Sequence, residues 1–450
     1  MKTQLPPQVP FSEALRFWLQ LGFISFGGPA GQIAIMHREL VEKRRWISEK
    51  RFLHALNFCM VLPGPEAQQL ATYLGWLMHR TWGGVVAGVL FVLPSLVLLI
   101  ALSWVYMAFG QQPIVAGVFY GIKPAVAAIV LHALHRIASK SLGHPRVSPA
   151  AWALAAMSFV AIWWFKLPFP LVVLTAMLIG VVVSRVAPGA LGTGSGHAAK
   201  GLGVHQAALI DDDTPTPPHA MFRLSRLALV LLAGAALWLL PMALLFLNHG
   251  WQGTLTQIGW FFTKAALLTF GGAYAVLPYV NQAAVEHYQW LTTAQMMDGL
   301  ALGETTPGPL IIIVAFVGFV AGWGNEVLGP GMPFIGAALA ACVATWFTFL
   351  PSFIFILAGG PYVESTRGNL KLTAPLAAVT AAVVGVIANL ALFFVAAVAY
   401  PSGSNGPPDG VALAIALCAA LALWRLKWGV IRVIAVSAGV GLALRMSGLV

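Results

Sequence analysis

Long apolar runs separated by short polar stretches follow one another along the whole chain. Four runs, 85–109, 222–247, 335–357 and 374–398, are long enough to cross a lipid bilayer as single helices. The pattern predicts an all-α polytopic integral membrane protein. A coarse count gives about 13 hydrophobic segments, at 13–27, 52–79, 84–110, 115–138, 149–165, 168–187, 222–247, 255–278, 294–322, 333–358, 372–400, 411–425 and 428–448.

Two helix-breaking motifs each occur twice inside these apolar runs. Phe-Gly-Gly at 26–28 recurs at 270–272, and Pro-Gly-Pro at 63–65 recurs at 307–309, both 244 residues later. Paired interruptions in the two halves of a membrane protein are typical of transporters that are built from structural repeats. The chain is therefore expected to consist of two homologous repeats with broken or re-entrant helices at the Gly-Gly-Pro and Pro-Gly-Pro motifs.

The repeat signal extends beyond these motifs. Leu-Pro-Ser at 93–95 matches Leu-Pro-Ser at 350–352, which is 257 residues later. The second repeat therefore needs 13 additional residues, and they fit its Gly/Pro-rich loop at 322–333. The duplication is expected to cover nearly the whole chain.

The hydrophobic segments group as six, one and six. This grouping predicts an N-terminal membrane repeat at 1–187, a flexible linker at 188–221, an extra transmembrane helix at 222–253 and a C-terminal membrane repeat at 254–450. Because of the single extra helix, corresponding segments of the two repeats are seven segments apart, which is an odd number. The second repeat is therefore predicted to have the inverted orientation in the membrane.

Composition and charge exclude other classes of protein. With 59% hydrophobic residues, 9% charged residues and a mean hydropathy of +0.84, the chain has too little polar surface for a water-soluble fold. A net charge of +11 could attract nucleic acid in a soluble protein, but in a membrane protein Lys and Arg mark cytoplasmic loops. The expected partner is the lipid bilayer, and no nucleic-acid partner is expected.

The placement of Lys and Arg favours re-entrant hairpins over simple crossings. If every segment crossed, the basic loop 38–51 would lie on the opposite side from Arg136, Lys140 and Arg146. If the segments with the breakers instead enter the membrane and return, both basic groups fall inside. The loop 273–293 of the second repeat, which contains no Lys or Arg, then falls outside.

The breakers also offer a binding chemistry. A helix start exposes backbone N–H groups and about half a positive charge, so it can hold an anion without a basic side chain. Four such starts from two inverted repeats would converge near the membrane midplane. The alternative is that these residues only allow close helix packing and kinks. The residues expected to bind the substrate are Gly27, Gly28, Pro29, Gln32, Pro63, Gly64, Pro65, Gln68, Lys264, Gly271, Gly272, Thr305, Thr306, Pro307, Gly308 and Pro309.

Ionisable residues lie at membrane depth near the breakers. Glu66 and Glu304 flank the two Pro-Gly-Pro motifs and are candidates for proton coupling, and helix capping explains them equally well. Lys264 could neutralise a bound dianion or could extend to the membrane interface. His132 and His135 lie one helical turn apart, but the sequence shows no third ligand, so neither a metal nor a cofactor is expected.

Three stretches of this chain resemble the signatures of the chromate ion transporter family in its long two-domain form. They are Phe26-Gly27-Gly28-Pro29, the stretch 62–70 and the stretch 303–309, and the resemblance spans essentially the full chain. It implies a secondary active transporter that exports chromate from the cytoplasm across the bacterial inner (plasma) membrane and confers chromate resistance. Sulfate, an isostere of chromate, is the implied competing anion.

The driving force and the rival functions remain open at this point. No GxxxxGK[ST] phosphate loop occurs, so ATP hydrolysis by this chain is not expected. The membrane potential pushes a dianion outward by about 2.3 kcal/mol per charge per 100 mV, so the potential, a proton gradient or both could drive export. The alternatives are a permease for sulfate or another oxyanion and an anion channel. An enzyme is not expected, because no polar catalytic cluster is evident. Whether the protein forms a homodimer is left open.

Overall fold

A computed structural model describes residues 9–26, 28–144, 148–186, 208–212, 214–270, 272–365, 373–401 and 406–449. In these ranges the regular secondary structure is helical. The first half contains α1 (Phe11–Ile24), α2 (Gly28–His37), α3 (Glu49–Val61), α4 (Glu66–Phe109), α5 (Pro113–Ser141), α6 (Pro149–Trp163) and α7 (Phe169–Val186). The rest contains α8 (Leu224–His249), α9 (Thr254–Leu267), α10 (Ala273–Asn281), α11 (Thr293–Thr305), α12 (Ile313–Gly324), α13 (Pro333–Ser365), α14 (Thr373–Ala399), α15 (Gly410–Trp424) and α16 (Val430–Met446).

Five of these helices are long and apolar enough to cross a membrane, as judged by length and composition. Several shorter apolar helices accompany them, including α6 and α15. The protein is therefore a multi-pass helical membrane protein. The five long segments are Glu66–Phe109, Pro113–Ser141, Leu224–His249, Pro333–Ser365 and Leu376–Ala399.

Helix α4 consists of two antiparallel arms joined at a sharp kink. Arg80 leaves the helical conformation with a φ of 57°. The arms α4a (66–78) and α4b (81–109) then pack together through glycine, because Gly75 lies directly against Gly83. With no side chain at this contact, the two helices can approach closely.

Each Pro-Gly-Pro motif forms the tip of a helical hairpin. Helix α3 lies beside α4a, with the Phe58 and Tyr73 rings 5.8 Å apart. Helix α11 lies beside α12 in the same way, since Gly299 packs against the Phe316 ring. Proline removes a backbone donor and cannot continue a helix, so the chain reverses at each motif.

The Gly-Gly motifs also lie between helices that return to the same end of the molecule. Trp46, which follows α2, packs on Phe17 of α1 with 5.1 Å between ring centroids. Trp290, which follows α10, packs on Phe261 of α9 at 6.0 Å. Both members of the second pair are numbered 244 higher than those of the first, so the two halves use the same contact.

A short π-helix follows α2 and α10 at equivalent positions. The two π-helices span Arg38–Lys43 and Gln282–His287, and each is followed by one residue in the left-handed region, Arg45 with φ 53° and Gln289 with φ 54°. A π-helix carries one more residue per hydrogen-bonded turn than an α-helix. Both halves therefore have the same irregularity at the same offset of 244.

The described ranges contain sixteen α-helices where about 13 hydrophobic segments were predicted from apolar runs. The breakers divide the predicted segments 52–79, 255–278 and 294–322 into two helices each, and α2 was not predicted, whereas the second part of 52–79 is joined to 84–110 in the single helix α4. A hydropathy profile does not register a tight turn between two apolar helices. The count differs for that reason.

The described part of the predicted linker packs against the first half. Ile210 forms an isolated backbone pairing with Ile47, and the Ser48 N–H donates to the Ile210 carbonyl at 3.0 Å. The Ser48 hydroxyl also donates to Asp212 Oδ1 at 2.6 Å. The loop before α3 and the end of the linker therefore lie at the same end of the molecule. The predicted flexibility of 188–207 concerns residues outside the described ranges.

Candidate functional site

Four turns that contain glycine lie between the helices of the hairpins. Gly28, Gly64, Gly272 and Gly308 have φ values of 71°, 125°, 97° and 101°. Side chains strain the backbone in this left-handed region, whereas glycine adopts it readily. The glycine requirement at these turns is therefore conformational before it is chemical.

The turns exchange two equivalent backbone hydrogen bonds between the halves. The Gly64 N–H donates to the Thr269 carbonyl at 2.7 Å, and the Gly308 N–H donates to the Ser25 carbonyl at 2.7 Å. The two donors are 244 residues apart, and so are the two acceptors. The Pro-Gly-Pro turn of each half thus binds the Gly-Gly turn of the other half.

A serine from each Leu-Pro-Ser motif packs against the Pro-Gly-Pro turn of the other half. The Ser95 hydroxyl donates to a carbonyl of the second turn, and the Ser352 hydroxyl accepts from Gln69 Nε2 at 3.3 Å. A methyl group added to Gly308 would overlap Ser95, and one added to Gly64 would overlap Ser352. The sequence prediction missed both serines as site residues, although the repeated motif was an available signal.

The turns lie about halfway along α4b. Pro65 and Ser95 are each 15 residues from Arg80, which is about 22 Å along either arm at 1.5 Å per residue. The arm continues from Arg80 to Phe109, so its full length is about 44 Å. The four turns are therefore deep in the protein, with about 20 Å of helix on either side.

Buried polar atoms surround the turns. Ser25, Gln32, Gln68 and Gln69 are each at most 1% exposed. Gln32 Nε2 donates to the Gly308 carbonyl at 2.5 Å. Among the described residues, the Ser25 hydroxyl and the side-chain oxygens of the three glutamines have no hydrogen-bond partner. An unsatisfied buried polar group costs about 1–3 kcal/mol, so these atoms favour a polar occupant.

The two carboxyl groups lie on opposite sides of their turns. Glu66 is the first residue of α4, is half-buried, and makes no hydrogen bond or ion pair with the described residues. Glu304 lies near the C-terminal end of α11, is buried, and accepts a hydrogen bond from the Tyr274 hydroxyl. Arg136 of α5 is close enough to act electrostatically on both members of that pair. Sequence analysis treated Arg136 only as a cytoplasmic charge, because nothing in the chain order connects it to Glu304.

Other predicted polar residues have local partners. The Lys264 ammonium lies 5.8 Å from the Trp260 ring centroid, and within the described residues it makes no hydrogen bond or ion pair with the turns. The hydroxyls of Thr305 and Thr306 donate to carbonyls of their own helix at 3.1 Å. Gln32 thus bonds to a turn, whereas Gln68 Nε2 donates to the Thr72 hydroxyl of its own helix at 3.0 Å and Lys264 lies over Trp260. Two predicted residues lie outside the described ranges: Gly27 and Gly271.

The prolines start their helices in different ways. Pro65 immediately precedes α4, as expected for a helix start, and Pro29 lies in the first turn of α2. Pro309 is followed by a 3₁₀ turn at Leu310–Ile312, and α12 begins only at Ile313. The second Pro-Gly-Pro turn thus lacks the immediate α-helix start that the sequence predicted. Its first free N–H groups belong to a tighter turn.

The histidine pair forms an aromatic contact. His132 and His135 lie against the Trp424 ring at 5.3 and 6.2 Å between centroids. Over the ranges that the structure covers, no group of three or more His, Cys, Asp or Glu side chains is placed to hold a metal ion.

Comparison with known proteins gives a consistent result. The sequence model of the family described as "Chromate transporter" matches residues 12–181 and, a second time, residues 256–442. A chromate transport protein of Pseudomonas aeruginosa is 34% identical over 85% of this chain and 80% of its own length. A chromate transport protein of Cupriavidus metallidurans is 29% identical over 85% and 82%, and a probable chromate transport protein of Synechococcus elongatus is 29% identical over 93% and 91%. No solved structure matches this chain.

Proposed function

Because the chain belongs to the chromate transporter family, we propose that it is a secondary active transporter that exports chromate from the cytoplasm across the bacterial inner membrane and so confers chromate resistance. Family membership supports chromate transport and indicates a transport protein rather than an enzyme. What we propose beyond family membership is the direction of transport, its driving force and the residues that bind the substrate. The reciprocal hydrogen bonds of Gly64 and Gly308 carry this proposal, because they join the turns of the two halves in two equivalent pairs.

In this proposal the two halves are inverted repeats. The two matched regions begin at residues 12 and 256, which are again 244 residues apart. Helix α8 lies between them and supplies the odd crossing that inverts the second repeat. The common offset of the π-helices, the turns and the Trp–Phe pairs supports the same duplication.

The proposed topology has re-entrant hairpins that enter from opposite faces. The pairing of Ile47 with Ile210 supports it, because simple crossings would separate the loop 38–51 from the linker by the whole membrane. The side-by-side packing of α3 with α4a also returns the chain to its starting face. Irregular backbone at this depth is tolerated only where protein or a watery cavity surrounds it.

Neutral donors are proposed to hold the oxyanion. The tetrahedral dianions chromate and sulfate present only acceptor oxygens, which suit the free N–H groups of the first turns of α2, α4 and α10. The Ser25 hydroxyl and the amides of Gln68 and Gln69 are buried beside them and could rotate to donate. Arg136 is the proposed counter-charge, with Lys264 as the alternative.

Glu304 and Glu66 are proposed to couple export to protons. Carboxyl groups inside a membrane protein are costly and are functional by default. The Tyr274 hydroxyl bonds to Glu304, whereas Glu66 lies at a helix start. A continuous channel is the alternative, and the dependence of flux on substrate concentration and on the gradients distinguishes it from a transporter.

Flux of radiolabelled chromate into inverted membrane vesicles tests the proposal. We expect saturable uptake that competes with sulfate and that falls when the potential or the pH gradient is collapsed separately. Gly64→Leu and Gly308→Leu should abolish uptake while the protein still inserts, because both glycines have left-handed φ and no space for a side chain.

Gly439→Ala is the matched control for these variants, because this glycine of α16 has ordinary φ and open space around it. Wild-type flux in a Gly64→Leu or Gly308→Leu variant would place the site elsewhere. Flux that does not saturate and does not depend on either gradient would indicate a channel. Uptake of sulfate with no uptake of chromate would indicate a sulfate permease.

A further inference from the structure

Two polar clusters of the same composition bridge the halves away from the turns. Each contains a carboxylate from the second half, a cation from the first half and a tyrosine of α4. The inner cluster is Arg51, Tyr73 and Glu364, and the outer cluster is Lys123, Tyr106 and Asp298. Neither cluster was predicted from the sequence.

The inner cluster is tightly bonded and buried. Arg51 Nη1 donates to Glu364 Oε2 at 2.6 Å, and the Tyr73 hydroxyl donates to Glu364 Oε1 at 2.5 Å. The Arg51 and Glu364 side chains are only 5% and 1% exposed. Arg51 also donates to the carbonyls of Asp211 and Thr214, so the end of the linker covers this cluster.

The outer cluster is looser. The Tyr106 hydroxyl donates to Asp298 Oδ2 at 2.9 Å, and Lys123 Nζ lies 3.6 Å from the same oxygen. Asp298 is buried, whereas the Lys123 side chain is 34% exposed. Asp298 Oδ1 has no hydrogen-bond partner among the described residues. This cluster is therefore held by fewer bonds than the inner one.

The clusters lie on either side of the turns. Measured along the antiparallel arms of α4 at 1.5 Å per residue, Tyr73 is about 10 Å from the kink at Arg80, the turns about 22 Å and Tyr106 about 39 Å. One cluster thus lies at a depth between the turns and the face at Arg80, and the second lies between the turns and the opposite face.

Ion pairs at this depth need an explanation other than stability. A buried ion pair loses about as much in desolvation as it gains in attraction, and a switch is among its best-attested uses. Alternating access requires a two-state element on each side of the substrate. An interaction that joins the two halves, and that opens when they move apart, provides such an element.

We propose that the Arg51–Tyr73–Glu364 and Lys123–Tyr106–Asp298 clusters are the inner and outer gates of the transport cycle. The inference rests on the proposed function, and the six residues act as positioning residues rather than as ligands of the oxyanion. The contacts of both clusters are formed in this structure, so both gates are closed. The inner gate opens to admit the oxyanion from the cytoplasm, and the outer gate opens to release it.

Thiol accessibility of a reporter at the turns tests the gates. The reporter is Ser25→Cys in the full chain with Cys59, Cys342 and Cys418 replaced by alanine. An anionic, membrane-impermeant methanethiosulfonate reagent is added to inverted and to right-side-out vesicles. We expect Glu364→Gln to raise the labelling rate at least 5-fold in inverted vesicles only, and Asp298→Asn to raise it at least 5-fold in right-side-out vesicles only.

Three further variants make the result specific. Glu326→Gln removes an exposed carboxylate outside both clusters and should leave labelling unchanged. Exchange of the inner charges, Arg51→Glu with Glu364→Arg, should restore slow labelling. If Asp298→Asn does not insert, Tyr106→Phe removes one bond of the same gate and should give the same one-sided increase. Equal labelling from both faces, or no change in either, would overturn the proposal.

The readout separates this inference from the proposed function, because labelling needs no substrate. One-sided labelling in a protein that moves no chromate would retain the gates and reject the chromate assignment. Chromate flux in the wild type combined with unchanged labelling in the gate variants would reject the gates and retain the chromate assignment.

Discussion

The two Pro-Gly-Pro turns have the same backbone and different side chains. Gly64 and Gly308 share a left-handed φ, a hydrogen bond to the Gly-Gly turn of the other half and a serine neighbour from the other half. The residues that follow the turns differ. Glu66, Gln68 and Gln69 follow the first, and the equivalent positions after the second are Leu310, Ile312 and Ile313.

Polar residues precede the second turn instead. Glu304, Thr305 and Thr306 occupy positions that are apolar before the first turn. The backbone frame is thus common to both halves, whereas the polar side chains approach it from α4a in one half and from α11 in the other. We infer that contact with the oxyanion depends on both turns equally, and that proton handling is divided unequally between them.

The largest expected effect comes from breaking the common frame. Gly308→Ala and Gly64→Ala should each reduce chromate flux by about 100-fold or more, because left-handed φ costs a residue with a Cβ about 1–2 kcal/mol and the new methyl group overlaps a serine. Vesicle flux normalised to inserted protein measures this. Gly439→Ala is the control, and an active Gly64→Ala variant would show that the two turns are not equivalent.

The next effect separates the two carboxyl groups. Glu304→Gln should remove the dependence of uptake on the pH gradient, and Tyr274→Phe should weaken it, because the tyrosine positions that carboxyl group. Glu66→Gln should also reduce the dependence of uptake on the pH gradient. Among the described residues Glu66 has no partner comparable to Tyr274, so no second variant accompanies it. Uptake is measured with an imposed pH gradient at zero potential. Unchanged pH-driven uptake in both glutamine variants would show that neither Glu304 nor Glu66 carries the coupled proton.

A smaller effect distinguishes the two candidate cations. Arg136→Gln should raise the KM for chromate about tenfold, which corresponds to about 1.4 kcal/mol, because the proposed counter-charge of the dianion is lost. Lys264→Gln should change KM less than twofold, because the Lys264 ammonium lies over Trp260 rather than at the turns. A larger change of KM in Lys264→Gln than in Arg136→Gln would support Lys264 as the counter-charge, as predicted from the sequence.

The smallest effect tests the two serines. Ser95→Ala removes a donated hydrogen bond to the second turn, worth about 1 kcal/mol, and should lower flux about fivefold. Ser352→Ala removes only an acceptor for Gln69, whose amide keeps its bond to the Pro63 carbonyl at 2.7 Å. Expressed as a free energy, the loss of flux in Ser352→Ala should be about half the loss in Ser95→Ala. Equal losses of flux in Ser95→Ala and Ser352→Ala would mean that the two serines support their turns equally.

Local chemistry explains which parts of this fold the sequence could predict. Glycine and proline limit the backbone at the residue itself, so the positions of chain breaks near 27, 64, 271 and 308 were accessible from the sequence. The N-terminal limit of α12 was not, because a 3₁₀ turn after Pro309 depends on how Leu310–Ile312 pack.

Contacts between distant segments were inaccessible for a different reason. Ser95 reaches the second Pro-Gly-Pro turn, and Arg51 reaches Glu364 across 313 positions of the chain. A single sequence contains no information about which apolar helices become neighbours. Lys264 was selected for its depth alone, and depth does not specify the direction in which a side chain points.

The two π-helices suggest an order of events in the history of the chain. An extra residue that interrupts both halves at the same offset is most simply inherited from one ancestral unit, so the insertion came before the proposed duplication. If the halves are inverted repeats, as proposed, that ancestor was a half-length protein and needed a second copy in the opposite orientation to complete four turns. In the same scheme, fusion through α8 made each orientation permanent, and the side chains of the two turns diverged afterwards.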